Sequence, residues 1–142
     1  MKICTIILLL AGFTCTAGAQ PAIDSTAAVT IGGIKQFIAI KGANRATPLL
    51  LYITGGPGET SIGQSDGYTN ELKKHFVLVE WDQRGCGETQ KLNASPVPIT
   101  LAVCQQDAAG LTDWLLAHFN RQKLFVMGWS WGTVPGFYLA QH

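Results

Sequence analysis

The segment Gly128–Gly132, with the sequence GWSWG, constrains the fold of this chain more than any other feature. It directly follows Leu124–Met127, an apolar run with the length and composition of a buried strand. A serine between two glycines at a strand end can lie on a sharp strand-to-helix turn, because the glycines leave room for a close backbone approach. The pattern predicts that Ser130 is an exposed nucleophile at the edge of a sheet, with a helix starting just after it. The alternative is a turn serine without a chemical role.

The rest of the chain alternates predicted strands with predicted helices and loops. Runs rich in β-branched and apolar residues predict four more strands. Two short strands around a tight bend are predicted at Thr30–Ile34 and Gln36–Lys41, and two further strands at Pro48–Ile53 and Phe76–Trp81. The fifth strand covers Lys123–Met127. This alternation is typical of an α/β fold with a largely parallel sheet, in which functional residues gather at the carboxyl ends of the strands.

Two helices and two irregular segments complete the prediction. Thr100 can cap a helix that ends near Asn120 and has one apolar face, formed by Leu101, Cys104, Ala108, Leu111 and Leu115. A short helix is predicted around Tyr68–Lys74. Gln20–Ala28 is predicted to be a mobile start, and residues 88–99, which include two prolines, a surface loop.

The amino terminus, residues 1–19, has the pattern of a cleaved secretory signal. A basic start at Lys2 precedes the apolar stretch Ile3–Phe13, which is too short to span a bilayer, and Ala17–Ala19 forms an A-x-A site. We therefore expect a secreted or periplasmic protein whose domain covers residues 20–142. No stable membrane association is expected after removal of the signal. The alternative is a single N-terminal anchor.

Charge and cysteine content argue against several function classes. Of ten Lys and Arg residues, Lys2 leaves with the signal, so the mature chain has nine basic residues against nine acidic ones. Electrostatic binding to nucleic acid is therefore not expected. For Cys86 and Cys104 we expect two buried thiols, with a disulfide between them as the alternative. Neither these cysteines nor the three histidines show metal-ligand spacing, so no metal site is expected.

Three glycine-rich segments each follow a predicted strand: TGGPG at Thr54–Gly58, DQRGCG at Asp82–Gly87, and GWSWG at Gly128–Gly132. In this order they resemble the α/β-hydrolase fold, and within it the proline iminopeptidase-like family of serine peptidases. The resemblance runs from about Ile31 to the last residue. One departure is Thr54, where the family usually has a histidine that is not the catalytic base. The resemblance implies a serine hydrolase without a cofactor, and specifically an aminopeptidase that releases N-terminal residues such as proline.

The resemblance also implies roles for single residues. Ser130 would attack the substrate carbonyl and form an acyl-enzyme. The backbone N–H groups of Gly56 and Trp131 would form the oxyanion hole. For Gly55–Gly58 the alternative is a tight turn and nothing more.

The segment Asp82–Gly87 is expected to be structural. Asp82 and Arg84 are predicted to pair locally and to hold their loop near the site, with direct catalysis by Asp82 as the alternative. For Trp81 and Trp129 we expect core packing, with the walls of an apolar pocket for a proline-like side chain as the alternative.

No histidine of this sequence is expected to reach Ser130. His75 and His118 precede predicted strands and so belong at the opposite edge of the sheet, roughly 17–20 Å away. His142 lies about 18 Å along the helix that follows the serine. In the resembled family the triad acid, the triad histidine and a helical cap come later in the chain. We therefore expect an amino-terminal fragment, with a small protein completed by a partner chain as the alternative.

Two further functions stay open at this point. The expected substrate is a peptide or a small ester or amide, but an esterase or another α/β-hydrolase uses the same serine turn. A non-catalytic binding protein that keeps the pocket without the base is the alternative outside enzymes. Oligomeric state is not indicated by the sequence.

Overall fold

The computed structural model describes residues 21–93 and 98–141, so the predicted signal at residues 1–19 and His142 lie outside the described residues. One sheet is formed by five strands: β1 Ile23–Ile31, β2 Ile34–Gly42, β3 Leu49–Ile53, β4 Val77–Asp82 and β5 Phe125–Gly128. Their order is β1-β2-β4-β3-β5. Strands β3, β4 and β5 are parallel, whereas β1 and β2 form an antiparallel hairpin that joins β4. The predicted α/β fold is confirmed, with a mixed sheet.

The helices of the described segments are α1 Asp66–Thr69, α2 Leu72–His75, α3 Gly87–Leu92, α4 Leu101–His118 and α5 Thr133–Gln141. The predicted cap of α4 is confirmed, because the Thr100 hydroxyl accepts a hydrogen bond from the Val103 backbone N–H at 3.3 Å. The predicted short helix at Tyr68–Lys74 is instead the two single turns α1 and α2. Leu101, predicted on the apolar face of α4, is exposed, and that face instead includes the buried Asp107.

The core covers both faces of the central strands. All five residues of β3 are buried, so its side chains do not alternate between exposed and buried positions. Leu51 and Ile53 belong to the cluster that includes Leu111 and Leu115 of α4. On the opposite face, Tyr52 belongs to a smaller cluster against which α2 packs. Strands β3 and β5 pair in parallel between these two layers, with Ile53 opposite Gly128, so their carboxyl ends meet at one edge of the sheet.

The prediction of a mobile start at Gln20–Ala28 is wrong from Ile23 onwards. Strand β1 begins at Ile23, which lies opposite Gly42, and pairs with β2 along its whole length. The tight bend expected in this region is present, but the predicted strand at Thr30–Ile34 is wrong at Gly32–Gly33, where the hairpin turns. These two residues have φ of 57° and 77°, values that glycine adopts without strain. The polar residues that indicated mobility occupy exposed positions of an outer strand.

The prediction of a surface loop at residues 88–99 is wrong over its first part, where α3 lies. The Asp82 carboxylate accepts a hydrogen bond from the Glu88 backbone N–H at 2.8 Å, which satisfies a free donor at the start of this helix. The Thr89 hydroxyl donates to the Asp82 carbonyl at 2.5 Å. Residues 94–97 lie outside the described part of the chain.

Candidate active site

Ser130 lies two residues beyond β5, in a 3-10 turn at Ser130–Gly132 that leads directly into α5. Its φ is 51°, in the left-handed region that residues with a side chain rarely adopt. The Gly132 N–H donates to the Trp129 carbonyl at 2.8 Å, and the Thr133 hydroxyl donates to the Ser130 carbonyl at 2.7 Å. Ser130 itself is exposed. The predicted turn between strand and helix is therefore present, with the serine on its outer side.

The glycines that flank this turn are required by close backbone contacts. A Cβ on Gly128 would lie 2.5 Å from the Gly132 carbonyl oxygen. A Cβ on Gly132 would lie 2.1 Å from the Ile53 carbonyl oxygen, at the end of β3. Both distances are far shorter than real Cβ contacts, so the turn closes on itself and against β3 only with glycine at these positions.

The glycine-rich loop at Thr54–Gly58 packs directly against Ser130. An ideal Cβ on Gly55 would lie 3.4 Å from the Ser130 Cβ. The Trp129 N–H donates to the Ile53 carbonyl at 3.0 Å. Because Trp129 precedes Ser130 and Ile53 precedes the loop, this hydrogen bond joins the two segments. Gly56 has a φ of 112° and precedes Pro57 through a cis peptide bond. The structure thus brings Ser130, Trp131 and the loop that contains Gly56 together, while their catalytic roles stay predictions.

Gln83, to which the sequence analysis gave no role, links both halves of this site. Its side-chain N–H donates to the Thr54 carbonyl at 3.2 Å. Its side-chain oxygen accepts a hydrogen bond from the Trp131 indole N–H at 3.3 Å. Gln83 is only 4% exposed, and its bond to the Thr54 carbonyl is buried, so solvent competes little for that bond. The available signal was its position within the DQRGCG segment, between Asp82 and Arg84, but the sequence interpretation considered only these two charged neighbours.

The predicted local pair of Asp82 and Arg84 is wrong. The Arg84 guanidinium instead binds the Asp107 carboxylate through two hydrogen bonds of 2.7 and 2.9 Å, and also donates to the Gly32 carbonyl at 3.0 Å. The hydrogen bond to Asp107 raises the pKa of Arg84 above its ordinary value. Arg84 pairs with α4, which is distant in sequence, because that helix presents the buried Asp107 carboxylate to it. A pairing across such a distance has no local sequence signal.

Asp82 has local partners of a different kind. Its carboxylate accepts the Thr60 hydroxyl as well as the Glu88 N–H, and the residue is 1% exposed. It therefore ties the segment after the glycine-rich loop to the start of α3. This arrangement supports the structural role that was expected for Asp82.

The two tryptophans considered for a pocket wall lie in different environments. Trp81 is 1% exposed and donates its indole N–H to the Gln36 side-chain oxygen at 2.8 Å, so its predicted core role is confirmed. Trp129 is 67% exposed, so core packing is the wrong interpretation for this residue. Trp129 lines a cavity of about 620 Å³ beside the serine turn, together with Tyr52, Tyr68, Glu71, Leu72, Met127 and Gly128.

Two titratable side chains near the site, Cys86 and Tyr52, have a raised pKa. Burial, with a smaller effect of Asp82, raises the pKa of the Cys86 thiol to about 12. Cys86 and Cys104 are both buried free thiols. Burial and the hydroxyl of Tyr68, at 3.3 Å, raise the pKa of Tyr52. Within the described ranges, no group of three or more His, Cys, Asp or Glu side chains could hold a metal ion.

The two histidines of the described residues are distant from the serine turn in the topology. His75 ends α2, just before the amino end of β4, and its Nε2 lies 3.8 Å from the exposed Glu71 carboxylate. His118 ends α4, ahead of the amino end of β5, and stacks on Trp114 at 4.6 Å. Ser130 follows the carboxyl end of β5, so both histidines belong to the opposite edge of the sheet, as expected.

A family model described as alpha/beta hydrolase fold matches residues 48–142, which include all three glycine-rich segments. The chain belongs to the α/β-hydrolase fold family. Membership agrees with the order of the sheet and with the serine turn after β5. Among helices of the described residues, none has the length and apolar character needed to cross a bilayer.

Relatives of this α/β-hydrolase chain include a probable aminopeptidase of Bacillus subtilis (strain 168), 39% identical over 113 residues. That match covers 80% of this chain and 36% of the relative's length, so the chain spans about a third of it. A proline iminopeptidase-related protein from Thermus thermophilus has a similar fold, with a TM-score of 0.66, 22% identity, and coverage of 84% and 41% of the two chains. An epoxide hydrolase from Vigna radiata also has a TM-score of 0.66, with 25% identity and coverage of 83% and 34%.

Proposed function

We propose that the whole protein is a serine hydrolase of the proline iminopeptidase type, which releases N-terminal residues such as proline from peptides. Ser130 attacks the scissile carbonyl and forms an acyl-enzyme, and the N–H groups of Gly56 and Trp131 stabilise the oxyanion. The observation that carries this proposal is the exposed Ser130 at φ 51°, packed against the Thr54–Gly58 loop. The same proposal includes export through the signal at residues 1–19, to a secreted or periplasmic location.

The peptidase class is supported by similarity in sequence. The Bacillus relative named as a probable aminopeptidase is 39% identical, whereas the epoxide hydrolase from Vigna radiata is 25% identical. The cavity beside the turn offers a second argument, because Trp129, Tyr68 and Leu72 give it apolar walls next to the serine. An apolar N-terminal side chain such as proline fits such walls.

The general base must come from outside the described residues, since His75 and His118 belong to the opposite edge of the sheet. Without a base a serine hydroxyl stays protonated and weakly nucleophilic. His142 is also expected to lie too far from Ser130, about 18 Å along the helix that follows it. For the 142-residue chain alone we therefore expect no fluorophosphonate labelling above that of a Ser130→Ala control. Strong labelling of Ser130 in this chain would show that the exclusion of these histidines is wrong.

The proposal is tested with the whole protein and two substrate types. We expect hydrolysis of L-proline p-nitroanilide to exceed hydrolysis of p-nitrophenyl acetate in kcat/KM, and Ser130→Ala to abolish both. Preference for the acetate ester would remove the peptidase assignment and keep a hydrolase. Full activity of Ser130→Ala would remove Ser130 as the nucleophile, and binding of substrate without turnover would favour the non-catalytic alternative.

A further inference from the structure

Gln83 is placed between the two segments that the proposed oxyanion hole needs. Its side chain donates to the Thr54 carbonyl at 3.2 Å and accepts the Trp131 indole N–H at 3.3 Å. Thr54 begins the loop that contains Gly56, and Trp131 itself carries the second proposed donor. One amide side chain therefore bonds to both segments at once.

We propose that Gln83 is a positioning residue that sets the spacing of the two oxyanion donors. This inference rests on the proposed function, because it gives Gln83 no contact with the substrate. Oxyanion stabilisation depends on donors held at hydrogen-bond distance from an oxygen that moves during reaction, so an error in their separation lowers the rate. A misplacement of 1 Å can cost about 100-fold.

The backbone that carries Gln83 is itself fixed, which makes the side chain a suitable spacer. The Gln83 carbonyl accepts the Cys86 N–H at 3.1 Å and the Cys86 thiol at 3.1 Å. The next residue, Arg84, is anchored to Asp107 of α4 through two hydrogen bonds. The Gln83 amide therefore extends from a turn that is held by its own hydrogen bonds and by the bonds of Arg84 to α4.

The chain contains a matched control for this arrangement. Gln36 is also buried, donates to the Ile31 carbonyl at 3.2 Å, and accepts the Trp81 indole N–H at 2.8 Å. It has the same pair of bonds as Gln83, but neither Ile31 nor Trp81 belongs to the serine turn or the glycine-rich loop. Loss of the Gln36 amide should affect stability without moving the proposed oxyanion donors.

The experiment compares Gln83→Met with Gln36→Met in the whole protein, with L-proline p-nitroanilide as substrate. Methionine keeps the length and removes both hydrogen bonds. We expect Gln83→Met to lower kcat by about 10- to 100-fold with KM within about twofold, and Gln36→Met to leave both within about twofold. Thermal unfolding of both variants should show similar losses of stability, since each loses two bonds of the same kind.

Trp131→Phe provides a second variant, because it keeps a ring and removes only the indole N–H that Gln83 binds. We expect it to lower kcat, and the double variant with Gln83→Met to cost less than the product of the two single effects. If Gln83→Met does not fold, unchanged kcat in Trp131→Phe alone overturns the inference. An activity-independent readout is hydrogen exchange of the Trp131 indole N–H, which should be slow in the parent protein.

The outcomes separate this inference from the proposed function. If Ser130→Ala abolishes activity but Gln83→Met and Gln36→Met have equal kcat, Gln83 is merely structural and the inference fails alone. If Ser130→Ala retains the parent activity, the proposed function fails, whatever Gln83 does. Rapid exchange of the Trp131 indole N–H in the parent protein would also contradict the proposed link.

Discussion

Replacement of Asp107 by alanine tests the buried ion pair that fixes the turn after β4. Arg84 and Asp107 have side chains that are 5% and 1% exposed, and they share two hydrogen bonds of 2.7 and 2.9 Å. Asp107→Ala removes both bonds and leaves a guanidinium charge buried, with the Gly32 carbonyl as a remaining acceptor. Breaking one partner of such a pair costs about 3–5 kcal/mol, a large part of a typical free energy of unfolding of about 5–15 kcal/mol.

The assay is urea unfolding, followed by tryptophan fluorescence. With a dependence of about 2 kcal/mol per molar urea, a loss of about 4 kcal/mol moves the midpoint down by about 2 M. The control Glu88→Ala breaks an exposed pair with Lys91 and should move the midpoint only slightly, because solvent screens exposed pairs. The double variant Arg84→Met/Asp107→Leu should be more stable than Asp107→Ala, since no charge is left unpaired. Equal midpoints for Asp107→Ala and Glu88→Ala would refute this reasoning.

Two further predictions concern backbone contacts and pH. Gly132→Ala should destabilise the protein by about 1–3 kcal/mol and abolish activity, because its Cβ meets the Ile53 carbonyl oxygen at 2.1 Å. Gly67→Ala, whose Cβ meets nothing within 4 Å, is the control in the same unfolding assay, and equal effects would contradict the contact. Because the pKa of Cys86 rises from 9.0 to about 12 on folding, the folded protein keeps this proton while the unfolded chain loses it. Between pH 9 and about 12, the free energy of unfolding should therefore fall by about 1.4 kcal/mol per pH unit from this group. The fall should be less steep in Cys86→Ala, and identical slopes in the two proteins would refute this prediction.

The fold could be predicted where the sequence signal is local. Apolar runs located β3, β4 and β5, and glycines located the loops after them, because these patterns arise from burial and backbone geometry within a few residues. Most of strand β1 was missed because an outer strand needs few apolar residues and takes its structure from its partner β2. Helix α3 was missed because its start depends on the Asp82 carboxylate, which acts through a contact six residues away.

The same distinction between local signals and distant contacts applies to the candidate site. The turn at Ser130 and its closeness to Gly55 follow from glycine positions and the parallel order of the strands, so both could be predicted. Arg84 bonds to Asp107, 23 residues away, and Gln83 bonds to Trp131, 48 residues away. Partners at such separations depend on how the elements pack, which no local pattern reports.

The most direct test of the account is the identity of the residue that a fluorophosphonate modifies in the whole protein. Peptide mass spectrometry should find the adduct on Ser130, with none in Ser130→Ala and a slower reaction in Gln83→Met. An adduct on another residue, or equal modification of the Ser130→Ala protein, would contradict the claim that this turn presents the nucleophile.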